Sequence, residues 1–372
     1  MWLPLFDCAA PGGCPPKAGA GENLPVLNSS DDECGISPSV AERAENVRVA
    51  VIGVGAVGGR AVRQLLSVSG VSEVLLVDPR DDLAQSAKMF GESTRIVSDW
   101  VNERPDVVLL AHASGDHGVI AERAVALGAH VVSVSDAPRD VEGLLALQGL
   151  AEKKGRSVIV GAGFAPGLTD VLAAHGSELF DRVDEVHVAK IGTGGPECAR
   201  QHHRALQGWG DDYRDGTWTH SKSGSGRELC WFPDPIGAAD CYRADLPDAR
   251  LLHRVFPTAV RLSTRMAATR RDRLTSPLPM LRKPHAEAGP GAVRVELRGR
   301  SNNISEVITF GVMDRPSVAA GAVAALAVGA CIAGSVVRVG TGGMAEMVRP
   351  LEFLAELARR GVKAARFEGA AN

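Results

Sequence analysis

Val47-Arg-Val-Ala-Val-Ile-Gly53-Val-Gly55-Ala-Val-Gly58-Gly-Arg60 decides the fold of this 372-residue chain. An apolar strand runs straight into a Gly-x-Gly-x-x-Gly turn and on into a helix, the context a dinucleotide fingerprint requires. Gly53 allows the tight turn, Gly55 lets the backbone approach a pyrophosphate with no Cβ between, and Gly58 lets helix and strand pack closely. The helix N-terminus, at Ala56 and Val57, turns free N–H groups towards phosphates. Asp78 closes a second apolar strand, Glu73-Val-Leu-Leu-Val-Asp78, where a carboxylate accepts hydrogen bonds from an adenosine ribose. A nicotinamide dinucleotide follows, NAD or NADP. Asp78 leans the choice to NAD, because a 2′-phosphate meets its negative charge, whereas Arg80 can turn to that phosphate or remain a solvated loop charge beside Asp81 and Asp82.

Outward from this turn, strands and helices keep alternating. Helix 81–90, strand 94–97, strand 105–111, helix 117–128, strand 129–134, helix 139–154 and strand 157–161 follow, and their continuous apolar strands mean a sheet covered on both faces. Ligands in such sheets sit outside the carboxyl ends of the strands. That rule nominates His112 and Ala113, Asp136, and Gly163 and Pro166 as cofactor-lining residues. Beyond residue 170 the pattern changes: Val183–Lys190, Val260–Met266, Val293–Arg298 and Val307–Val312 alternate as half-buried strands. The expected fold is therefore α/β, a doubly wound Rossmann sheet with an inserted α+β domain on a mostly antiparallel sheet. Expected boundaries are a disordered extension at 1–46, the Rossmann domain at 47–170, a substrate and oligomerisation domain at 171–316, and C-terminal helices at 317–372 that return to the Rossmann domain.

Composition narrows the partners. The chain is 45% hydrophobic with a net charge of −3, which gives no reason to expect nucleic acid. Val318–Val337 is long enough for a membrane span, yet it is mostly Ala, Gly and Val and reads as a buried helix packed through small residues. The first residues lack the basic lead and apolar core of a signal peptide. Seven cysteines without a C-x-x-C pair suggest neither a disulfide framework nor a zinc ribbon, and point to reduced thiols in a cytoplasm.

The chain resembles the saccharopine dehydrogenase-like family, which includes saccharopine reductase and lysine 6-dehydrogenase. The resemblance rests on Gly53-Val-Gly55-Ala-Val-Gly58, on Val131-Val-Ser-Val-Ser135-Asp136 after Gly128-Ala-His130, on Gly161-Ala-Gly163-Phe-Ala-Pro166-Gly167-Leu-Thr-Asp170, and on the closing Pro350-Leu-Glu-Phe353-Leu-Ala-Glu-Leu357-Ala-Arg-Arg-Gly361. It covers about half the chain and leaves roughly 190–290 unmatched. It implies an NAD(P)-dependent oxidoreductase that reduces an imine or oxidises an amine of an amino-acid-like substrate, and a homodimer formed through the second sheet. Family members carry Asn where this chain has Asp170. An ionised carboxylate cannot donate an amide's hydrogen bonds, so that position's contact is in doubt.

The unmatched middle holds the polar and aromatic candidates. Residues 196–253 read as an irregular loop region, a common setting for a binding lid, with Trp209 and Asp212 as substrate contacts. An imine gaining hydride needs a proton donor, for which His203 and His117 are the candidates. Arg271, from the Arg265, Arg270, Arg271 and Arg273 group, is the candidate carboxylate anchor. Cys198 and His202 stand four apart and share a helix face, but no second pair completes a zinc set, so no metal is expected. Two readings compete with the C–N oxidoreductase. One is an alcohol or sugar dehydrogenase, which typically advertises a Lys-based motif beyond the sixth strand, for which Lys190 is a lone candidate. The other is a non-catalytic NAD(P)-binding regulator.

Overall fold

In the computed structural model, residues 2–5, 46–81, 83–280, 284–286 and 288–367 are described. A short strand β1 (Trp2–Pro4) comes first, and the glycine turn then joins β2 (Val47–Ile52) to α1 (Ala56–Leu65). Next come β3 (Val71–Val77), α2 (Leu83–Ala87), β4 (Thr94–Ile96), α3 (Trp100–Glu103), β5 (Val107–Leu110), α4 (His117–Ala126), β6 (His130–Ser133), α5 (Pro138–Leu145), α6 (Gln148–Lys154) and β7 (Ser157–Val160). The helix expected at 139–154 is thus two. These strands lie parallel in the order β4-β3-β2-β5-β6-β7, and the chain reverses direction across the sheet between β2 and β5. In sheets of this kind, ligands bind in the crevice at that switch point, outside the carboxyl ends.

Alternate residues explain the two layers. Val49, Val51, Leu76 and Leu109 face one core, while Ala50, Leu75, Val108 and Leu110 face another against Ala121, Ala124 and Leu144 of α4 and α5.

The second sheet begins after α7 (Leu168–Ser177) with β8 (Arg182–Ile191) and α8 (Pro196–Ala205). It continues through β9 (Trp209–Arg214), β10 (Thr217–Lys222), β11 (Glu228–Trp231), β12 (Ala238–Tyr242), α9 (Asp248–Val255), β13 (Arg261–Ala267), α10 (Arg270–Thr275), β14 (Gly291–Ser301) and β15 (Ile304–Asp314). Residues 196–253 are therefore regular, contrary to the expected loop. Asp215 and Gly216, with φ of +50° and +79°, close the β9–β10 hairpin, the two positive angles that an Asp-Gly turn supplies.

The chain then enters α11 (Pro316–Ile332), which packs on α1 through small residues. A side chain at Gly321 would put its Cβ 2.6 Å from that of Arg60. No helix among the described residues is long and apolar enough to cross a membrane. After it, β16 (Gly340–Gly343) extends the parallel sheet beside β7, α12 (Met344–Met347) and α13 (Pro350–Arg359) follow, and β17 (Ala364–Phe367) joins the second sheet. That sheet runs β1-β17-β15-β14-β8-β13-β12-β11, with β9 also on β13; only β8 and β13 pair in parallel. Trp2–Pro4, expected within a disordered extension, instead pairs with β17, its ring 5.3 Å from that of Phe367. Residue 1 and residues 6–45 of that extension lie outside the described residues.

Candidate active site

The three glycines of the turn have different surroundings. A Cβ at Gly53 would fall 2.4 Å from the His112 backbone, and one at Gly58 would fall 1.8 Å from the Gly53 carbonyl oxygen. At Gly55 a Cβ meets nothing within 4 Å. Open space thus lies beside an α1 N-terminus that has no capping side chain and no acidic residue in its first turn, as an approaching phosphate requires. The second unit reaches over this start: a Cβ at Gly195 would lie 2.6 Å from the Ala56 Cβ, and one at Gly194 3.2 Å from Val57 Cγ2.

Asp78 sits at the end of β3 as expected, and its carboxylate is tied down. Its Oδ2 accepts from the Val54 N–H at 2.7 Å, and Arg80 closes on it at 2.8 Å through Nε. Burial pushes the Asp78 carboxyl up, but the Arg80 and Val54 hydrogen bonds outweigh it and hold the group below its ordinary value. Arg80 also donates to the Val54 carbonyl at 2.9 Å while its side chain stays 49% exposed. Asp78 and Arg80 therefore form an ion pair at the end of β3, and Asp78 is not the isolated negative charge on which the lean to NAD relied.

The chemistry gathers at the carboxyl ends of β6 and β7. Lys190 comes from β8 of the other sheet, and its buried Nζ donates to Asp136 Oδ2 at 3.1 Å and to the Ala165 carbonyl at 3.0 Å. His202 Nε2 lies 3.1 Å from the same Asp136 oxygen and 3.6 Å from Cys198 Sγ. Cys198 and His202 project from one face of α8, as their spacing predicts. Burial opposes each charge here, and neighbours restore it. Asp136 and Asp248 keep Lys190 above its ordinary value, Cys198 and Asp136 raise His202 to about 9, and Lys190 and His202 hold Asp136 well below the carboxylate range. Asp140 fixes the supporting loops by accepting from Ser135 Oγ at 2.7 Å and from the Gly115 N–H at 3.1 Å.

Behind the cluster are two buried carboxyls, Asp170 on α7 and Asp248 on α9, without hydrogen-bond partners among the described residues. Burial drives both up, Asp248 to about 6 and Asp170 well above its ordinary value with Asp248 adding to the push. A protonated Asp170 regains one of the donors an asparagine offers there.

Several sequence candidates lie elsewhere. His117 is completely buried, stacked on His112 at 4.1 Å, with Nδ1 against Ser133 Oγ at 2.9 Å and Nε2 against the His112 carbonyl at 3.3 Å. Burial, then His112, lowers it to about 4, and both ring nitrogens are turned to partners inside the protein. His203 turns away from its neighbour and donates to the Leu278 carbonyl at 2.8 Å. Asp212 is committed to Arg265 at 2.7 and 3.0 Å and to Arg243 at 2.9 Å. Arg271 is exposed on α10 and Trp209 is 63% exposed on β9, whereas Lys190 is buried. Ala113 is exposed beside the crevice, and the His112 ring is held by Asp116 at 2.7 Å. Gly163 and Pro166 shape the loop that presents Ala165, the Gly163 N–H donating to the Pro166 carbonyl at 3.1 Å. The helix spacing of Cys198 and His202 was the available signal; what linked them to Lys190 and Asp136 was the meeting of two sheets.

No family model and no curated protein matches the sequence. Among solved structures, apo saccharopine dehydrogenase (L-Glu forming) from Saccharomyces cerevisiae is similar with a TM-score of 0.63 at 14% identity, over 87% of this chain and 100% of that one. The DAP dehydrogenase of C. glutamicum in complex with DAP is similar with a TM-score of 0.48 at 15% identity, over 85% of this chain and 99% of that one. The first likeness establishes a shared two-sheet fold.

Proposed function

We propose that the protein is an NAD(P)-dependent oxidoreductase acting on the C–N bond of an amino-acid-like substrate, with Lys190 as the proton carrier. The observation that carries this reading is the side chain of Lys190, which crosses from the second sheet to Asp136 and Ala165 at the carboxyl ends of the Rossmann strands. The glycine cradle and the Asp78–Arg80 corner fit a dinucleotide, which supplies or accepts the hydride when bound. In imine reduction, hydride reaches carbon and the nitrogen takes a proton. Lys190, held as an ammonium, can give that proton, and Asp136 orients it. The fold shared with saccharopine dehydrogenase supports an amino-acid-like substrate.

A second reading is oxidation of a hydroxyl, which needs a group to take the hydroxyl proton, a role Lys190 fills only after giving up its own proton. A panel of amino acids, keto-acid and amine pairs, hydroxy acids and sugars, followed by nicotinamide absorbance, separates them. Turnover confined to hydroxy compounds rules out the C–N assignment. Lys190→Met is expected to lose turnover by the ~10²–10⁴-fold of a general acid while cofactor affinity is unchanged. The outward residues Leu229 and Trp231 of the edge strand β11, at 60% and 61% exposure, support a homodimer through the second sheet. A monomer in sedimentation at micromolar concentration excludes it.

A further inference from the structure

We propose that Asp136, Cys198 and His202 form the site of a zinc-type divalent metal ion, bound by three protein ligands with its fourth position open to substrate. The spacing of Cys198 and His202 alone argued against a metal because no second pair follows it; the third ligand comes from 62 residues earlier (198 − 136), brought there by the loop after β6. The three ligand atoms lie within 4.8 Å of one another. Zinc bonds of about 2.3 Å to sulfur, 2.05 Å to nitrogen and 2.1 Å to oxygen, at tetrahedral angles, put sulfur and nitrogen about 3.6 Å apart and nitrogen and oxygen about 3.4 Å apart. The observed separations are 3.6 and 3.1 Å.

The direction of the imidazole separates this arrangement from a nucleophilic cysteine. A relay uses one ring nitrogen for the thiol and the other for the carboxylate. Here Nε2 faces both Cys198 Sγ and Asp136 Oδ2. One N–H cannot point fully at two acceptors, whereas one ion can accept all three donors. A thiolate, an imidazole and a carboxylate are a donor set that suits zinc better than the oxygen-seeking Mg²⁺ or Ca²⁺. Lys190 uses another lone pair of Asp136, an outer contact of the kind that orients a ligating carboxylate. Three protein ligands are the pattern of catalytic rather than structural zinc. The open position would polarise a substrate oxygen or nitrogen beside Lys190.

This inference rests on the proposed oxidoreductase reading only for the place of the substrate. Its test uses Co²⁺ alone, titrated into the full chain after chelation and dialysis. One equivalent is expected to give a thiolate-to-cobalt charge-transfer band in the near ultraviolet and the intense visible absorption of tetrahedral cobalt. Cys198→Ser is expected to lose the charge-transfer band, and His202→Ala to weaken cobalt binding at least tenfold, while Lys190→Met loses turnover and keeps the band. No band in the wild type, or a band that survives Cys198→Ser, overturns the site. Full turnover by chelated protein overturns its catalytic role and leaves the oxidoreductase standing. A cobalt band in a protein with no NAD(P)H affinity upholds the metal and removes the oxidoreductase.

Discussion

Gly55 and Gly58 are both glycines of one motif, yet opposite things happen when each gains a side chain. Gly58→Val drives a Cβ into the Gly53 carbonyl and is expected to prevent folding, whereas Gly55→Val points into open space and is expected to fold normally. The Gly55 variant should nevertheless lose NAD(H) and NADP(H) binding, measured by fluorescence titration, because the valine fills the pyrophosphate's position. Retained affinity in a folded Gly55→Val protein removes the dinucleotide from this crevice. At the ribose corner the ion pair sets the expectation. Asp78→Ala removes a carboxylate that repels a 2′-phosphate and that binds Arg80, so the ratio of NADP to NAD affinity should rise. An unchanged ratio means that neither residue meets the ribose.

Elements were legible where the physics is local. The apolar runs of β2, β3 and β5, and the Ala/Gly/Val run of α11, announce burial through composition, and α11 offers a test of it. Gly321→Leu forces a side chain against Arg60 Cβ at 2.6 Å and the Ala61 nitrogen at 2.9 Å, and overpacking of this kind costs ~1–3 kcal/mol, read as a lower denaturant midpoint. β16 was not legible, because Gly-Thr-Gly-Gly has no apolar pattern and is covered by side chains such as Gln148, Leu251 and Met347 that reach it from other elements. The middle region was misread as loop, although Asp215-Gly216 marks a hairpin. Asp212 in that hairpin was taken for a substrate contact because a sequence does not show that Arg265, 53 residues on, is buried against it. Asp212→Ala leaves that guanidinium with Glu228 and the Thr264 carbonyl, and breaking a buried pair costs ~3–5 kcal/mol, here at the lower end. A chemical denaturation midpoint equal to wild type shows the pair to be dispensable.

For the whole molecule, the buried ionisable groups that no sequence pattern exposes set the response to pH, and they pull in opposite directions. His117 and His130 are lowered to about 4, His117 by burial and then His112, His130 by burial and then Arg156. An unfolded histidine takes its proton near pH 6.5, so between about 6.5 and 4 the unfolded chain binds more protons, and this share of stability, complete above about 6.5, drains away as pH falls. Asp248, raised by burial to about 6 from an unfolded value near 3.9, has the reverse sign: the folded chain binds the extra proton, so its contribution is complete at low pH and is lost as pH rises through 6. The two trends overlap between about pH 4 and 6 and offset each other there, so the wild-type profile alone does not reveal them. Variants do. His117→Asn keeps a polar atom for Ser133 but no titrating ring, and the stability of wild type relative to it should fall as pH drops from 6.5 to 4, by at most about 1.4 kcal/mol per pH unit. Relative to Asp248→Asn, wild type should instead lose stability as pH rises from 4 to 6. Urea midpoints across that range decide the matter, and two variant profiles that run parallel to wild type would show that neither group is held in the protonation state its surroundings impose.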